Sequence, residues 1–164
     1  MKPILSRALI ALGALLVLGA LNAAIIGKEQ IKRGGEVVYL SLAPVDPRSL
    51  IQGDYMALRF ALTTDIERRD EADKRSAREG AVAFANVALD DGRVARLAGE
   101  GTAPTLKLRY RIRNGKVWLG TNAFFFEEGS AERYNSARYG EFRVDRESGE
   151  AVLVGLRDDG LQAL

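Results

Sequence analysis

The sequence predicts a mainly β protein, in which an N-terminal transmembrane helix is followed by a small antiparallel β-barrel or sandwich domain with one or two short helices. Three observations predict this fold. An uncharged apolar run occupies residues 8–27. Several short segments rich in β-branched and aromatic residues follow it at close spacing, and two of them flank an Asn-Gly pair, which is a strong hairpin signal. A chain of 164 residues has room for one such domain beside its anchor.

Residues 8–27 form the predicted anchor in the lipid bilayer. A helix of this length rises about 30 Å, which is the thickness of the hydrocarbon core. The run holds no charged residue, and Asn22 is its one strongly polar side chain. A cleaved secretory signal is the alternative, but the run exceeds the usual apolar region of about 7 to 15 residues and no A-x-A pattern closes it. We therefore expect an uncleaved anchor that crosses the inner (cytoplasmic) membrane once.

Basic residues flank the anchor on both sides, so the positive-inside rule alone leaves its orientation open. They are Lys2 and Arg7 before the run, and Lys28, Lys32 and Arg33 after it. Because so few residues precede the run, the chain starts like a signal anchor, and we expect the C-terminal domain outside the cytoplasm. The pair Gly34-Gly35 then breaks the helix. The predicted division is residues 1–35 for the anchor and residues 36–164 for the β domain.

The strands are predicted from apolar alternation and from the turn residues between them. They cover residues 36–42, 55–62, 81–89, 93–97, the hairpin 106–121, 140–144 and 151–156. In the hairpin, Asn114-Gly115 tolerates positive φ at both central positions, as a type I′ turn requires. Its first strand alternates apolar residues with a basic series, which is predicted to face water: Lys107, Arg109, Arg111 and Arg113.

Two segments interrupt the β pattern. Residues 64–79 are charged throughout, with Ile66 as their only large apolar residue, and Thr64 or Asp65 is a suitable N-cap. The segment is predicted to be a solvated helix or an excursion between strands. Residues 131–138 are predicted to form a short helix capped by Ser130.

Composition excludes most catalytic chemistry. The chain holds no histidine and no cysteine, which excludes His general bases, thiol nucleophiles, disulfides and metal sites built on either residue. Its 24 basic and 22 acidic residues leave a net charge of only +2, so we expect no nucleic-acid partner. No phosphate-binding loop, nucleophile elbow or metal-ligand motif occurs in the sequence. We therefore expect no cofactor and no metal, and the sequence assigns no reaction.

One motif resembles the signature of a known family. Residues 53–60 read GDYMALRF, which resembles the GDYXXLXY signature of a family of bacterial membrane-anchored proteins, with Phe60 in place of the final Tyr. The similarity extends to the aromatic run at 124–126, to Tyr134 and to residues 139–141. The resemblance implies a single N-terminal anchor and, as partner, a multi-spanning membrane protein of the kind commonly encoded beside such proteins. We therefore expect a binding or accessory module outside the cytoplasm.

A second resemblance supports an alternative function. Residues 48–55 are similar to the P-T-L-x-x-G-D-x-V segment of signal-peptidase-like serine proteases, which are membrane-anchored β proteins with a Ser–Lys dyad. Aligning the Gly-Asp pair places Val45 at the nucleophile, and Ser49 is out of register. The resemblance thus implies a catalytically dead relative. Lys107 and Lys116 are the candidate bases, but both alternate with arginines on a strand face that is predicted to be solvated. The other alternative is an envelope hydrolase that uses Asp54 and Glu128 as its acid–base pair.

Two groups of residues form the predicted binding site. The first lies around the Gly-Asp turn and comprises Asp54, Tyr55, Glu128 and Tyr134. The second is the basic strand face with Arg109 and Arg111, which suits anionic lipid head groups, lipopolysaccharide or an acidic partner. Each group also has a structural interpretation, because turn carboxylates cap backbone N–H groups, aromatic rings fill cores and basic strand faces are often merely solvated.

Overall fold

The computed structural model describes residues 3–43, 51–52, 55–72, 79–99 and 101–164. Its first element is the helix α1, Pro3–Gly34. Within α1, Arg7–Gly34 is long and apolar enough to cross a membrane: it contains an 18-residue window that has a mean hydropathy of 2.5 and is 0% buried. Gly35 ends the helix by donating its N–H to Ile31 O at 2.8 Å. A Cβ at Gly35 would lie 2.5 Å from that same oxygen and 3.0 Å from Val144 N, so the close contact between anchor and domain requires glycine.

The rest of the described chain is mainly β structure. Its strands are β1 Glu36–Ser41, β2 Ile51–Gln52, β3 Tyr55–Ala57, β4 Val82–Leu89, β5 Ala95–Leu97, β6 Leu106–Arg113, β7 Lys116–Trp118, β8 Ala123–Phe125, β9 Tyr139–Val144 and β10 Ala151–Arg157. Two short helices accompany them, α2 Ala61–Ala72 and a 3-10 helix Ala131–Ser136.

The strands form three antiparallel sheets that together make a half-barrel. Their orders are β1-β9-β10, β2-β3-β8 and β5-β4-β6-β7. A parallel bridge between Tyr39 and Val94 joins the first sheet to the third. On the other side, Arg109 N of β6 donates to Gly149 O, in the turn between β9 and β10, at 2.7 Å. The predicted fold class is confirmed: a long apolar helix followed by a mainly β, antiparallel domain with short helices.

The hydrophobic core takes buried residues from all three sheets and from α2. Its largest fully buried side chains come from β1, α2 and most of the longer strands: Phe60, Phe142, Leu40, Ile66, Leu108, Leu119, Leu156, Val38, Val87 and Val144. Phe60 and Phe142 meet edge to face, with ring centroids 5.2 Å apart. The final aromatic residue of the GDYMALRF motif is therefore a core residue, which fits the absence of a hydroxyl there.

The predicted hairpin of residues 106–121 is confirmed. β6 alternates buried and solvent-facing residues along its whole length, and Arg113 pairs with Lys116 across the turn. Asn114 and Gly115 have φ of 51° and 70°, as a type I′ turn requires. Glu79 accepts the backbone N–H of Asn114 at 2.9 Å, which fixes the turn further.

We expect Gly115→Ala to lower the free energy of unfolding by about 1–2 kcal/mol, because a Cβ in left-handed backbone crowds the next carbonyl oxygen. No atom lies within 4 Å of that Cβ position, so the loss comes from the backbone alone. Denaturant unfolding of the full chain in detergent, followed by the fluorescence of the single tryptophan, Trp118, measures it. Gly155→Ala is the control, since its site is equally open and lacks positive φ. Equal losses in both variants would contradict this account.

The predicted strand 55–62 is partly wrong. β3 ends at Ala57, and α2 begins at Ala61, before the predicted caps Thr64 and Asp65. The helix starts early because Leu62 and Ile66, four residues apart, both pack into the core. Thr63 Oγ1 also donates to Phe60 O at 2.7 Å, inside the first turn.

The expectation of a solvated helix is also wrong for α2. The helix contacts β1, β5 and β7, and Ile66 is 0% exposed. Near the C-terminal end of the helix, Asp70 Oδ2 accepts a hydrogen bond of 2.8 Å from the Tyr110 hydroxyl on β6. Burial, followed by this hydrogen bond, raises the pKa of Tyr110 above its ordinary value. The helix thus packs into the core through Leu62 and Ile66. Residues 73–78 of the predicted segment lie outside the described residues.

The predicted helix at 131–138 is confirmed as a shorter 3-10 helix, but its predicted cap is wrong. Ser130 has φ of −92° and ψ of 6° and makes no side-chain cap to the helix. Its hydroxyl donates backwards to Glu127 O instead. Ser130 therefore stabilises the turn before the helix rather than the helix itself.

Candidate functional site

An open groove of about 470 Å³ lies where the anchor meets the β domain. We call it the basic groove and define it by four cations, one acid and three aromatic rings: Lys28, Arg109, Arg111, Arg113, Glu150, Trp118, Phe124 and Phe125. The four cations face a single carboxylate, so the groove favours an anionic ligand. The rings give it an apolar wall.

Strand β6 supplies the cations because its side chains alternate between core and solvent. Arg109 and Arg111 lie on the solvent side, opposite Phe84 and Val82 of β4. Arg111 also faces Trp118 of β7 in the register of the hairpin. The predicted water-facing side of this strand is therefore confirmed, and the structure places aromatic and apolar residues beside the arginines.

The anchor and the groove are joined by ion pairs. Lys28 Nζ, near the end of α1, binds Glu150 Oε1, and Arg109 Nη2 binds the same oxygen at 3.0 Å. Gly149 allows the turn before β10 to lie close to β6, because a Cβ at this position would lie 3.0 Å from Lys107 O. Glu150 thus holds the end of the anchor against the middle of β6.

Arg111 and Arg113 extend the positive charge beyond this contact. Within the described part of the chain, Arg111 has neither a hydrogen bond nor an ion pair, and both arginines are exposed. Arg113 stacks its guanidinium over Trp118, 4.8 Å from the ring centroid. The two side chains are therefore available to an anionic ligand.

The predicted aromatic site residues separate into two environments. Tyr134 is 8% exposed and lies between Phe124 and Phe126, at centroid distances of 5.2 Å and 5.0 Å. Its ring packs in the core. Tyr55 is half-buried on β3, with its ring centroid 5.7 Å from that of Phe125, which is 74% exposed and lines the basic groove. Each tyrosine therefore packs against a phenylalanine that lines the basic groove, and neither tyrosine lines the groove itself.

The carboxylate candidates give no assembled acid–base pair in the described chain. Glu128 is exposed in the turn after β8, and Asp54 lies outside the described residues. Lys107 and Lys116 are both exposed, whereas the base of a Ser–Lys dyad is desolvated. No group of three or more potential metal ligands occurs among the described residues.

Sequence reasoning did not identify Lys28 and Glu150 as site residues. Lys28 and Glu150 meet although 122 residues separate them. No local sequence pattern indicates a contact between residues so far apart in the chain. Trp118 joins the groove because the register of the hairpin places it opposite Arg111.

A second cluster fixes the start of the domain beside the anchor. Glu36 of β1 accepts hydrogen bonds from Arg93 Nη2 at 2.6 Å and Arg146 Nη2 at 2.9 Å. Burial is the largest influence on the pKa of Glu36 and raises it, but the hydrogen bonds and charges of both arginines together hold that pKa below its ordinary value. The ionised form of Glu36 is therefore more stable, relative to the protonated form, in the folded chain than in the unfolded chain.

This lowered pKa gives a pH dependence of stability. A folded pKa below the unfolded value contributes stability that is complete above the unfolded pKa, about 4.3, and is lost as the pH falls through the folded pKa. We expect Glu36→Gln to lower the free energy of unfolding by about 1–2 kcal/mol at pH 7 and by less near pH 3. Urea unfolding at several pH values measures this, with exposed Glu147→Gln as control. A loss that is the same at pH 7 and pH 3 would contradict it.

Comparisons with known proteins agree with the motif. No match was found among the curated proteins or among the solved structures. The family comparison matches residues 17–156, from the middle of α1 to the last strand, to the family described as GDYXXLXY protein. Since this match spans most of the chain, the protein belongs to the GDYXXLXY family.

Proposed function

We propose that this protein is a membrane-anchored binding or accessory module, in which α1 crosses the inner membrane once and the β domain acts outside the cytoplasm with a multi-spanning membrane protein. The observation that carries the proposal is the surface of α1. Ten large apolar side chains of α1 are more than half exposed, and they lie on every side of the helix: Leu9, Ile10, Leu12, Leu15, Leu16, Val17, Leu18, Leu21, Ile25 and Ile26. Water does not solvate such a surface, whereas a bilayer does.

A partner within the membrane is supported by small residues on α1. Gly19, Ala23 and Gly27 follow one another at intervals of four residues, so they share one face of the helix. A Cβ at either glycine would meet nothing within 4 Å. Small residues at this spacing let another membrane helix approach closely.

The β domain suits binding better than catalysis. Its open groove carries exposed cations and aromatic rings. Its described carboxylates are exposed, engaged in ion pairs as at Glu150, or hydrogen-bonded to turn N–H groups as at Asp145 and Asp158. The anchor is tied to this groove through Lys28 and Glu150, so a ligand or partner in the groove lies directly beside the membrane.

Crosslinking in membranes tests the proposal. The full chain is crosslinked and purified from membranes beside two variants: the double variant Asp54→Ala, Tyr55→Ala, and the control Arg96→Ala, whose side chain is largely exposed on β5. We expect the wild type and the control to retain one multi-spanning membrane protein that the double variant loses. Trp118 fluorescence shows that the double variant is folded. An unchanged set of partners with the folded double variant, or the absence of any membrane protein, would contradict the proposal.

A further inference from the structure

We propose that the basic groove binds the phosphate head group of an anionic phospholipid drawn from the membrane that α1 crosses. The inference rests on the anchor in the proposed function but not on the protein partner. It names a ligand for the groove.

The position of the groove places it at the lipid head groups. Lys28 is the first charged residue after the apolar run, so a membrane-spanning α1 puts its ammonium group at the membrane surface. Glu150 and Arg109 are held at the same level by their contacts with Lys28 and with one another. The foot of the groove is therefore level with lipid phosphates, and a lipid reaches it without leaving the bilayer.

The charges of the groove match a phosphodiester. Glu150 compensates much of the charge of Lys28 and Arg109, while Arg111 and Arg113 have no acidic partner in the described part of the chain. Guanidinium groups bind phosphate oxygens through paired N–H donors. Arg111 and Arg113 are two residues apart on one strand face, or about 7 Å, so both guanidinium groups reach one phosphate.

The aromatic wall favours a lipid over free phosphate. Phe124 and Phe125 line the groove, and the exposed ring of Phe125 has no function for an inorganic ion. The Trp118 indole donates its N–H to Gly120 O at 3.0 Å, so its ring contributes a face rather than a donor. Rings beside cations fit a ligand that is anionic at one end and apolar next to it, as a phospholipid is at its glycerol and upper acyl chains.

Fluorescence of Trp118 tests the proposal, because it is the only tryptophan and lies in the groove. The full chain in neutral detergent, without any partner protein, is titrated with phosphatidylglycerol or with phosphatidylcholine, both carrying brominated acyl chains that quench nearby indole. We expect saturable quenching by phosphatidylglycerol and only weak, non-saturating quenching by phosphatidylcholine. Equal quenching by the two lipids would overturn the proposal.

Two matched variants test whether Arg111 binds the lipid. Arg111→Glu is expected to weaken apparent phosphatidylglycerol binding by about 25-fold, since the reversal removes one attraction and adds one repulsion, each about five-fold. Lys107→Glu is the control, because Lys107 is exposed on the same face of β6 but does not line the groove; we expect less than about five-fold weakening. Equal weakening in both variants would contradict binding at this site and would indicate only a general effect of charge.

A third arm separates lipid from free phosphate. Inorganic phosphate and glycerol phosphate are added to the complex at the concentration at which phosphatidylglycerol saturates. We expect neither to reverse the quenching, and full reversal would overturn the lipid assignment. Because the assay contains no protein partner, its failure is distinguishable from failure of the crosslinking experiment above.

Discussion

Phe142→Ala is expected to lower the free energy of unfolding by about 3–5 kcal/mol, the usual cost of removing a buried phenylalanine ring. Phe142 lies in the central strand of the β1-β9-β10 sheet and is 0% exposed. Its ring meets Phe60, and a Cβ at Gly140 would lie 2.9 Å from Phe60 and 3.1 Å from Phe142. Because these neighbours are closely packed, they cannot move far to fill the cavity left by the ring. We therefore expect a loss of free energy of unfolding in the upper part of this range.

Urea unfolding of the full chain in detergent, followed by Trp118 fluorescence, measures the loss. Phe125→Ala is the matched control, because it deletes the same ring from a site that is 74% exposed. We expect the control to change the free energy of unfolding by less than about 0.5 kcal/mol. A loss below 1 kcal/mol for Phe142→Ala would mean that the core is not packed around this ring.

The second large effect is expected at a buried ion pair. Glu141 of β9 is 6% exposed, and Arg157 of β10 donates to it through Nε at 2.7 Å and also through Nη2. Arg157→Ala leaves this carboxylate buried without its main partner, which costs about 3–5 kcal/mol. Arg143 stays 3.7 Å from the other carboxylate oxygen, so we expect the lower end, about 3 kcal/mol.

The double variant Glu141→Leu, Arg157→Leu separates this effect from a loss of packing. Replacing both partners with apolar residues of similar size removes the buried charge together with its counter-ion. We expect this variant to unfold within about 1 kcal/mol of the wild type. If Arg157→Ala and the double variant lose the same free energy, the ion pair is not the cause.

The features that the sequence predicted correctly are those with a local cause. In residues 106–121 the alternation and the Asn-Gly turn act within a few residues of one another, so the hairpin and its solvent face followed directly. The apolar run of α1 is likewise a property of one continuous segment. Both are visible without knowing any distant contact.

The features that were missed depend on tertiary contacts or on competing local signals. Residues 55–62 have the composition of a strand, but Leu62 and Ile66 also have helical spacing. Because both side chains pack into the core, the chain is helical from Ala61 onward. Thr64 and Asp65 are good caps, yet the buried Thr63 hydroxyl is the one that binds at the start of α2. The groove was only half predicted, since its arginines lie on one strand while Glu150 comes from a turn 41 residues later.

The placement of the β domain beyond the cytoplasm is tested most directly by labelling. The chain has no cysteine, so Asp91→Cys in the exposed turn between β4 and β5 introduces a single thiol without background. Spheroplasts with an intact inner membrane are treated with a membrane-impermeant maleimide, and a cytosolic protein with an exposed thiol reports leakage. We expect the membrane fraction to hold the protein, labelled fully before lysis. Labelling only after lysis, or recovery of the protein in the soluble fraction, would contradict the account.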